Sequence, residues 1–292
     1  MASEIRIGII GGSGLYQMDG LTNIEEVEVE TPFGKPSDAY RIGTLEGKSV
    51  AFLARHNRNH SILPSELNFR ANIYGFRQLG VERIVSISAV GSLKEEHKPL
   101  EFVIPDQFFD RTRHRVDTFF GNGLVAHVSL AKPICPRLLD AAAEAARAAG
   151  ATVHKGGTYV CMEGPQFSTR AESETYRSHG FDIIGMTNLQ EARLAREAEI
   201  CYVSLSMVTD YDCWHETEEA VSGEAVMEVI RQNVQMAQEV VRQIISRLGG
   251  AHSRECLCAE ALKYSLITER SMIPAATVKA LQPIIGKYIK AE

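Results

Sequence analysis

No stretch of this sequence approaches the ~20 consecutive apolar residues that a membrane-spanning helix needs. No repetitive or low-complexity tract interrupts it, and no internal repeat is visible. Met1-Ala2-Ser3-Glu4 enters an apolar run without the basic-then-apolar layout of a secretory signal. Neither sign of charge dominates: 31 basic against 37 acidic residues leave a net −6, which argues against a broad nucleic-acid surface. Cysteine is sparse as well. Cys135, Cys161, Cys201, Cys213, Cys256 and Cys258 are scattered, no pair has zinc-ligand spacing, and no metal is expected. Free thiols are the expectation, with a strained redox bridge between Cys256 and Cys258 as the one alternative. The expectation from these absences is a cytoplasmic globular protein with no membrane or nucleic-acid partner. Its 292 residues, 45% of them apolar and 23% charged, suffice for one large domain or two small ones.

What is present alternates between two patterns. Apolar, β-rich runs occupy residues 5–10, 49–54, 83–90, 102–105, 157–162, 182–186 and 200–208. Most are continuous rather than alternating, the mark of strands buried on both faces. Helical patterns lie between them. One starts at Pro136 and stops at Gly150; Thr169 with Glu172, and Thr187 with Gln190, fit capping boxes opening two more. A long helix spans residues 222–248, closed by Gly249-Gly250. The alternation predicts an α/β fold with a mixed, largely parallel central sheet flanked by helices, over residues 1–250. Residues 251–292 read as a short helical C-terminal extension packed on the same domain, with helices over 256–269 and 274–288.

In open α/β sheets ligands bind outside the carboxyl ends of the strands, and five polar clusters fall there. Gly11-Gly12-Ser13-Gly14 allows close backbone approach to an anion, or makes a plain tight turn. It lacks the third glycine of a dinucleotide fingerprint and the Gly-Lys-Ser/Thr of a P-loop. Arg55-His56, followed by His60, suits phosphate oxygens or a solvated loop. Ser88-Ala89-Val90-Gly91-Ser92 cradles a ligand or simply packs closely. Phe167 is a stacking wall or a core residue, and Thr187 a hydroxyl donor or a helix cap. Asp210 and Asp212, beside Trp214, pair two carboxylates at i, i+2, suited to recognising or protonating a nitrogen heterocycle. No further ligand set completes a divalent metal site around them. Together the clusters supply an anion site, an aromatic wall and an acid pair, which is what joining phosphate to a nucleoside requires.

At this point a resemblance is evident. Gly8 through Leu15, Thr31 through Asp38, Leu53 through His56, Asp106-Gln107-Phe108 with Asp110-Arg111-Thr112, Glu163-Gly164-Pro165, Phe167-Ser168 with Arg170 through Ser173, and Thr209 through Trp214 run in collinear order across residues 5 to 248. This set resembles the trimeric purine nucleoside phosphorylase family, and within it the branch acting on 5′-methylthioadenosine. The resemblance implies that Ser13, Arg55, His56, Ser88 and Thr187 hold phosphate. It implies that Ala89 and Phe167 line the base pocket, Met186 lies against the ribose, Asp210 bonds purine N7 and Asp212 accepts the 6-amino group. Val226, Met227 and His127 would shape the 5′-alkylthio pocket, His127 arriving from a neighbouring subunit. Gly223 departs from the pattern, standing where a relative has valine. The inosine and guanosine branch has asparagine at position 210 and glutamate at 168. A carboxylate accepts from a 6-amino group whereas an amide can donate to a 6-oxo group, so Asp210 with Ser168 favours a 6-aminopurine.

The implied reaction is phosphorolysis to adenine and 5-methylthio-α-D-ribose 1-phosphate, a pentosyl transfer in purine and methionine salvage. Phosphate is co-substrate and no cofactor is expected. Asp210 and His56 would be catalytic, Asp210 with a pKa raised by burial and Thr209 beside it in the substrate site. The expected assembly is a homotrimer or a dimer of trimers. A broader adenosine or inosine phosphorylase, a non-catalytic nucleoside-binding protein and a nicotinamide-dependent oxidoreductase are the competing readings. A lid formed by Leu262, Ile267 or Ile273 of the extension is a further expectation.

Overall fold

In the computed structural model, residues 6–12, 15, 18–215, 222–248 and 256–290 are described. Ser13 and Gly249-Gly250, the pair expected to close the long helix, lie outside them. Eleven strands form one mixed sheet: β1 Ile7–Gly11, β2 Thr22–Val27, β3 Tyr40–Leu45, β4 Lys48–Ala54, β5 Arg83–Ser92, β6 Phe102–Ile104, β7 Gln107–Arg111, β8 Val153–Lys155, β9 Thr158–Met162, β10 Ile183–Gly185 and β11 Cys201–Asp210. Among the described residues, six α-helices flank it: α1 Phe69–Gln78, α2 Pro136–Ala148, α3 Arg170–Ser178, α4 Asn188–Glu197, α5 Gly223–Arg247 and α6 Ala275–Ile285.

The centre of the sheet is parallel, β4–β1–β5–β11, with parallel pairs β6–β8 and β10–β9–β7 further out. Antiparallel contacts join β2–β3–β4, β5–β10 and β11–β6. The continuously apolar strands are the ones enclosed on both faces: β1 and nearly all of β11 are buried along their length.

β5 is the strand on which the sheet divides. One edge pairs with β11 along most of its length. Its other edge pairs with β1 as far as Ser86, and with β10 only from Gly91. Residues 87–90 pair with neither, and the sheet opens there, at the carboxyl ends of β1, β4 and β11.

Two expected helix starts are borne out, and other expected features take a different form. Thr169 and Glu172 make a reciprocal capping box on α3, and the Ser222 hydroxyl accepts from Ala225 N–H at the start of α5. Thr187 occupies the N-cap position of α4 but makes no side-chain cap, its hydroxyl pointing to Asn188 Oδ1 at 3.4 Å, and the Gln190 side chain goes to Thr112 and Arg115 rather than back to the cap. Residues 256–269 form no α-helix; single 3₁₀ turns stand at Leu257–Glu260 and Arg270–Met272. The extension's Leu262, Ile273, Leu281, Ile284 and Ile285 join the same buried cluster as the central strands.

Below the opening lies a buried polar network. The Arg55 guanidinium meets the Glu191 carboxylate through Nε (2.6 Å) and Nη2 (3.2 Å), both side chains almost wholly enclosed. Nη1 donates to the Ile87 carbonyl (2.9 Å) and Nη2 to Ser86 Oγ (2.5 Å). Ser86 and Tyr202 also donate to Glu191, and Asn188 Nδ2 reaches Ser86, Tyr202 and Ser204. Burial alone would lower the Arg55 pKa, but Glu191 beside it raises it, so the guanidinium stays charged. Truncating Glu191 would leave a buried, uncompensated cation. Glu191→Ala is expected to destabilise the fold by about 3–5 kcal/mol in denaturant unfolding; a loss below about 1 kcal/mol would mean that water reaches Arg55.

Candidate active site

The opening holds a cavity of about 540 Å³. Its walls come from the ends of β1, β4, β5, β10 and β11, the loop after β9, and the N-terminal half of α5. That is the crevice an open α/β sheet offers a ligand.

One group of lining residues suits an anion. Arg55, His56, Ser88 and Thr187 all face the cavity, around the Ser86–Ser88 segment that Arg55 and Asn188 grip from below. Much of the Arg55 fork is committed to Glu191, Ser86 and Ile87, so its positive charge acts from beneath the floor. His56 Nδ1 lies 2.7 Å from the Ile62 carbonyl. A carbonyl only accepts, so Nδ1 carries the proton and Nε2 is the ring's acceptor when His56 is neutral. Burial first, then the charge of Arg55, pushes the His56 pKa down to about 4, so the ring is neutral at pH 7. The Thr187 hydroxyl, free of capping duty, sits at the N-terminus of α4, where unpaired N–H groups favour anions.

A second group suits a flat heterocycle. Ala89, Gly91, Phe167, Thr209, Asp210 and Asp212 line this part. A bulge in β11 between Val208 and Asp210 breaks the strand's alternation and sets Asp210 opposite Gly91. A side chain at Gly91 would begin 2.9 Å from Asp210 Oδ1, so the glycine makes the space that the carboxyl occupies. Asp210 Oδ2 lies 2.7 Å from Thr209 Oγ1, and Oδ1 accepts the Asp212 N–H at 2.8 Å. Burial pushes the Asp210 pKa up to about 6, the neighbouring Asp212 adding to it and the two hydrogen bonds opposing it. Burial also raises the Asp212 pKa, against the opposing influence of the nearby Ser173 and Ser168 hydroxyls. Among the described residues, Ser88 Oγ and Asp212 Oδ2 are buried without a hydrogen-bond partner. Both belong to the cavity wall, where such orphaned atoms await a ligand.

The third wall is apolar. Val226, Met227, Ile230, Val234 and Ala237 of α5 face inward, with Gly223 at the helix start and Met186 across the cavity. Nothing lies within 4 Å of a Cβ placed on Gly223, so the missing side chain leaves open space.

Two expected residues, Ser168 and His127, do not line this cavity within the chain. Ser168 stands beside it, its carbonyl accepting from Cys213 Sγ. His127 is exposed on a separate strip, its N–H bonded to the Ser265 carbonyl. Ser13 falls outside the described residues. The expected lid is corrected as well: Leu262 is fully buried in the core, Ile273 nearly so, and neither they nor Ile267 line the cavity.

Two further residues of the site, Arg115 and Glu191, were not singled out from the sequence. Arg115 is enclosed and bonds Glu163, the Met186 carbonyl and Gln190 Oε1, tying together the loops that carry Pro165, Phe167 and Met186. Its position in a polar loop concealed it. Glu191 lies four residues after Thr187 on the same helical face, a spacing that would have pointed to it.

A parallel-centred α/β sheet, with an anion-suited pocket and a protonatable carboxyl in one crevice, defines an enzyme acting on a small phosphate- and heterocycle-bearing substrate pair. Residues 6–246 match the Phosphorylase superfamily, and the chain belongs to that family. It is 60% identical to the S-methyl-5′-thioadenosine phosphorylase of Koribacter versatilis (strain Ellin345), over 98% of this chain and 97% of that one. A methylthioadenosine phosphorylase crystal structure sourced from an antarctic soil metagenomic library superposes with a TM-score of 0.92 at 49% identity, covering 97% of this chain and 99% of the other. The methylthioadenosine phosphorylase of Schistosoma mansoni in complex with adenine gives 0.83 at 36% identity, covering 89% and 96%.

The Asp210 carboxyl is expected to titrate near pH 6, read by carbon-13 NMR or difference infrared spectroscopy; a midpoint near 4 would show a hydrated group. Its folded pKa lies above the unfolded value of 3.8. Its contribution to stability is therefore full below pH ~4 and lost as pH rises through ~6. Asp210→Asn should accordingly gain thermal stability over the native chain above that window and lose the gain below it.

Proposed function

We propose that this chain cleaves the N-glycosidic bond of S-methyl-5′-thioadenosine by phosphorolysis, giving adenine and 5-methylthio-α-D-ribose 1-phosphate. The observation that carries the assignment of parts is the pair of buried, unpartnered oxygens on one cavity wall. Ser88 Oγ sits on β5 three residues before Gly91, against which Asp212 packs. At ~3.3 Å per strand residue the two are about 10 Å apart along β5, room for a sugar between phosphate and purine.

In this reading Ser13, Ser88, Thr187 and the His56–Arg55 end hold phosphate. Neutral His56 accepts from a phosphate hydroxyl through Nε2, while Arg55 supplies its field from below. Phe167 and Ala89 flank the base, Met186 lies against the ribose, and Asp212, with Ser168 near it, accepts the 6-amino group. Val226 and Met227 enclose the methylthio group, and the space at Gly223 admits a longer substituent.

Bond cleavage leaves positive charge on the sugar and negative charge on the departing base, as in glycoside hydrolysis. Asp210, its pKa raised by burial and with Thr209 on one oxygen, gives a proton to N7 as the C1′–N9 bond breaks. A phosphate oxygen closes on C1′ from the opposite face, inverting it. Overall, the proton of hydrogen phosphate ends on adenine. No cofactor enters this chemistry.

The reading extends to a homotrimer. His127 lies on a strip where Ala126 bridges Leu266, flanked by exposed Val125 and Ile267. A second copy covering that strip would receive His127 at its own 5′ pocket. A cytoplasmic setting is supported by six cysteines carried as thiols. Among the described residues, no helix is long and apolar enough to cross a membrane.

Base release from methylthioadenosine, adenosine and inosine, each with and without phosphate, tests the reaction. Adenine released fastest from methylthioadenosine, and only with phosphate, is the expected outcome; release without phosphate would make it a hydrolase. Asp210→Asn should lower kcat at least ~100-fold, and near-normal turnover would remove Asp210 as the acid.

A further inference from the structure

Cysteines far apart in sequence meet at the other end of the molecule. The Sγ atoms of Cys135, Cys201, Cys256 and Cys258 all lie within 4.8 Å of one another, Cys201 and Cys256 at 3.4 Å. Cys135 is the N-cap residue of α2, Cys201 the first residue of β11, and Cys256 and Cys258 flank the exposed Leu257 at the start of the extension. Three of the thiols are buried and the fourth is half-buried.

We propose that these four side chains form a structural tetrathiolate site for one zinc-class divalent cation. Zinc bonds thiolate sulfur at ~2.3 Å in a tetrahedron, which puts the sulfurs roughly 3.8 Å apart, the scale of this cluster. A complete set of four sulfur ligands leaves no open coordination position, the mark of a structural rather than a catalytic site. Four thiols would release four protons as four metal–sulfur bonds form. The resulting net double negative charge has compensation in place: Arg196 Nη1 lies 3.6 Å from Cys258 Sγ, and Cys135 sits at the positive end of α2.

Placement defines the site's role. Cys201 and Asp210 are the two ends of β11, so the cluster lies about 30 Å along the strand from the proposed proton donor. The cation would clip the extension, through Cys256 and Cys258, onto the start of β11 and the N-terminus of α2. Its removal should loosen residues 256–290 and leave the chemistry of the crevice alone.

The full chain, purified without chelator, is assayed by elemental mass spectrometry. About one zinc per protomer is expected, reduced in Cys256→Ser and Cys258→Ser. Chelation should lower the thermal midpoint while kcat stays within about twofold. Cobalt added to the demetallated protein should give the sulfur-to-cobalt charge-transfer absorption of a tetrahedral thiolate site. The native chain decides the question even where a variant fails to fold. Four alkylatable thiols and no metal would overturn the proposal. So would a native mass four hydrogens short, which reports two disulfides, or stoichiometric iron in place of zinc.

Discussion

The buried pairing of Arg55 with Glu191 is the interaction around which the crevice is built. Two ions enclosed at the meeting of β4, β5, β11 and α4 persist only if geometry and further hydrogen bonds offset their desolvation. Ser86, Tyr202 and the Ile87 carbonyl provide those bonds, and Asn188 braces Ser86 and Tyr202. The network fixes where β5 can part from β1 and where α4 begins, and so where Ser88 and Thr187 stand. It also places a fixed positive charge next to His56, which helps keep that ring neutral.

Much of this architecture was legible in the sequence, and the omissions have physical reasons. Strands enclosed on both faces advertise themselves as apolar runs, and α2, α3 and α5 carry their start signals in Pro136, Thr169 and Ser222. β2 was hidden because it is an edge strand with exposed Glu25 and Glu26, charges that suit an edge but read as loop. α1 was hidden by Gly75, a poor helix former that is present because the Tyr40 ring lies directly against it. In each case tertiary packing overrode the local pattern.

The candidate site was legible as a set of residue types at strand ends, and less so in how each is used. Arg55 read as a phosphate fork; Glu191, 136 residues away in sequence, takes up much of its donor capacity. Thr187 and Gln190 matched a capping box, yet Gln190 serves Arg115, and Thr187 caps nothing and lines the cavity. The meeting of four thiols was invisible for a similar reason. Spacing rules detect ligands that are neighbours along the chain, and here only Cys256 and Cys258 are.

The parting of β5 from its neighbours gives the crevice the character of a seam rather than a dent. Its two lips are backbone, joined by ladder hydrogen bonds to β1 on one side of residues 87–90 and to β10 on the other. Side-chain rotation cannot widen such a slot; only slippage of a whole strand can, and that would turn buried side chains to the wrong face. The gauge of the gap is thus set by the sheet itself. Evolutionary change in what the slot admits is confined to the residues that line it, among them Asp210 beside Gly91 and Gly223 at the start of α5.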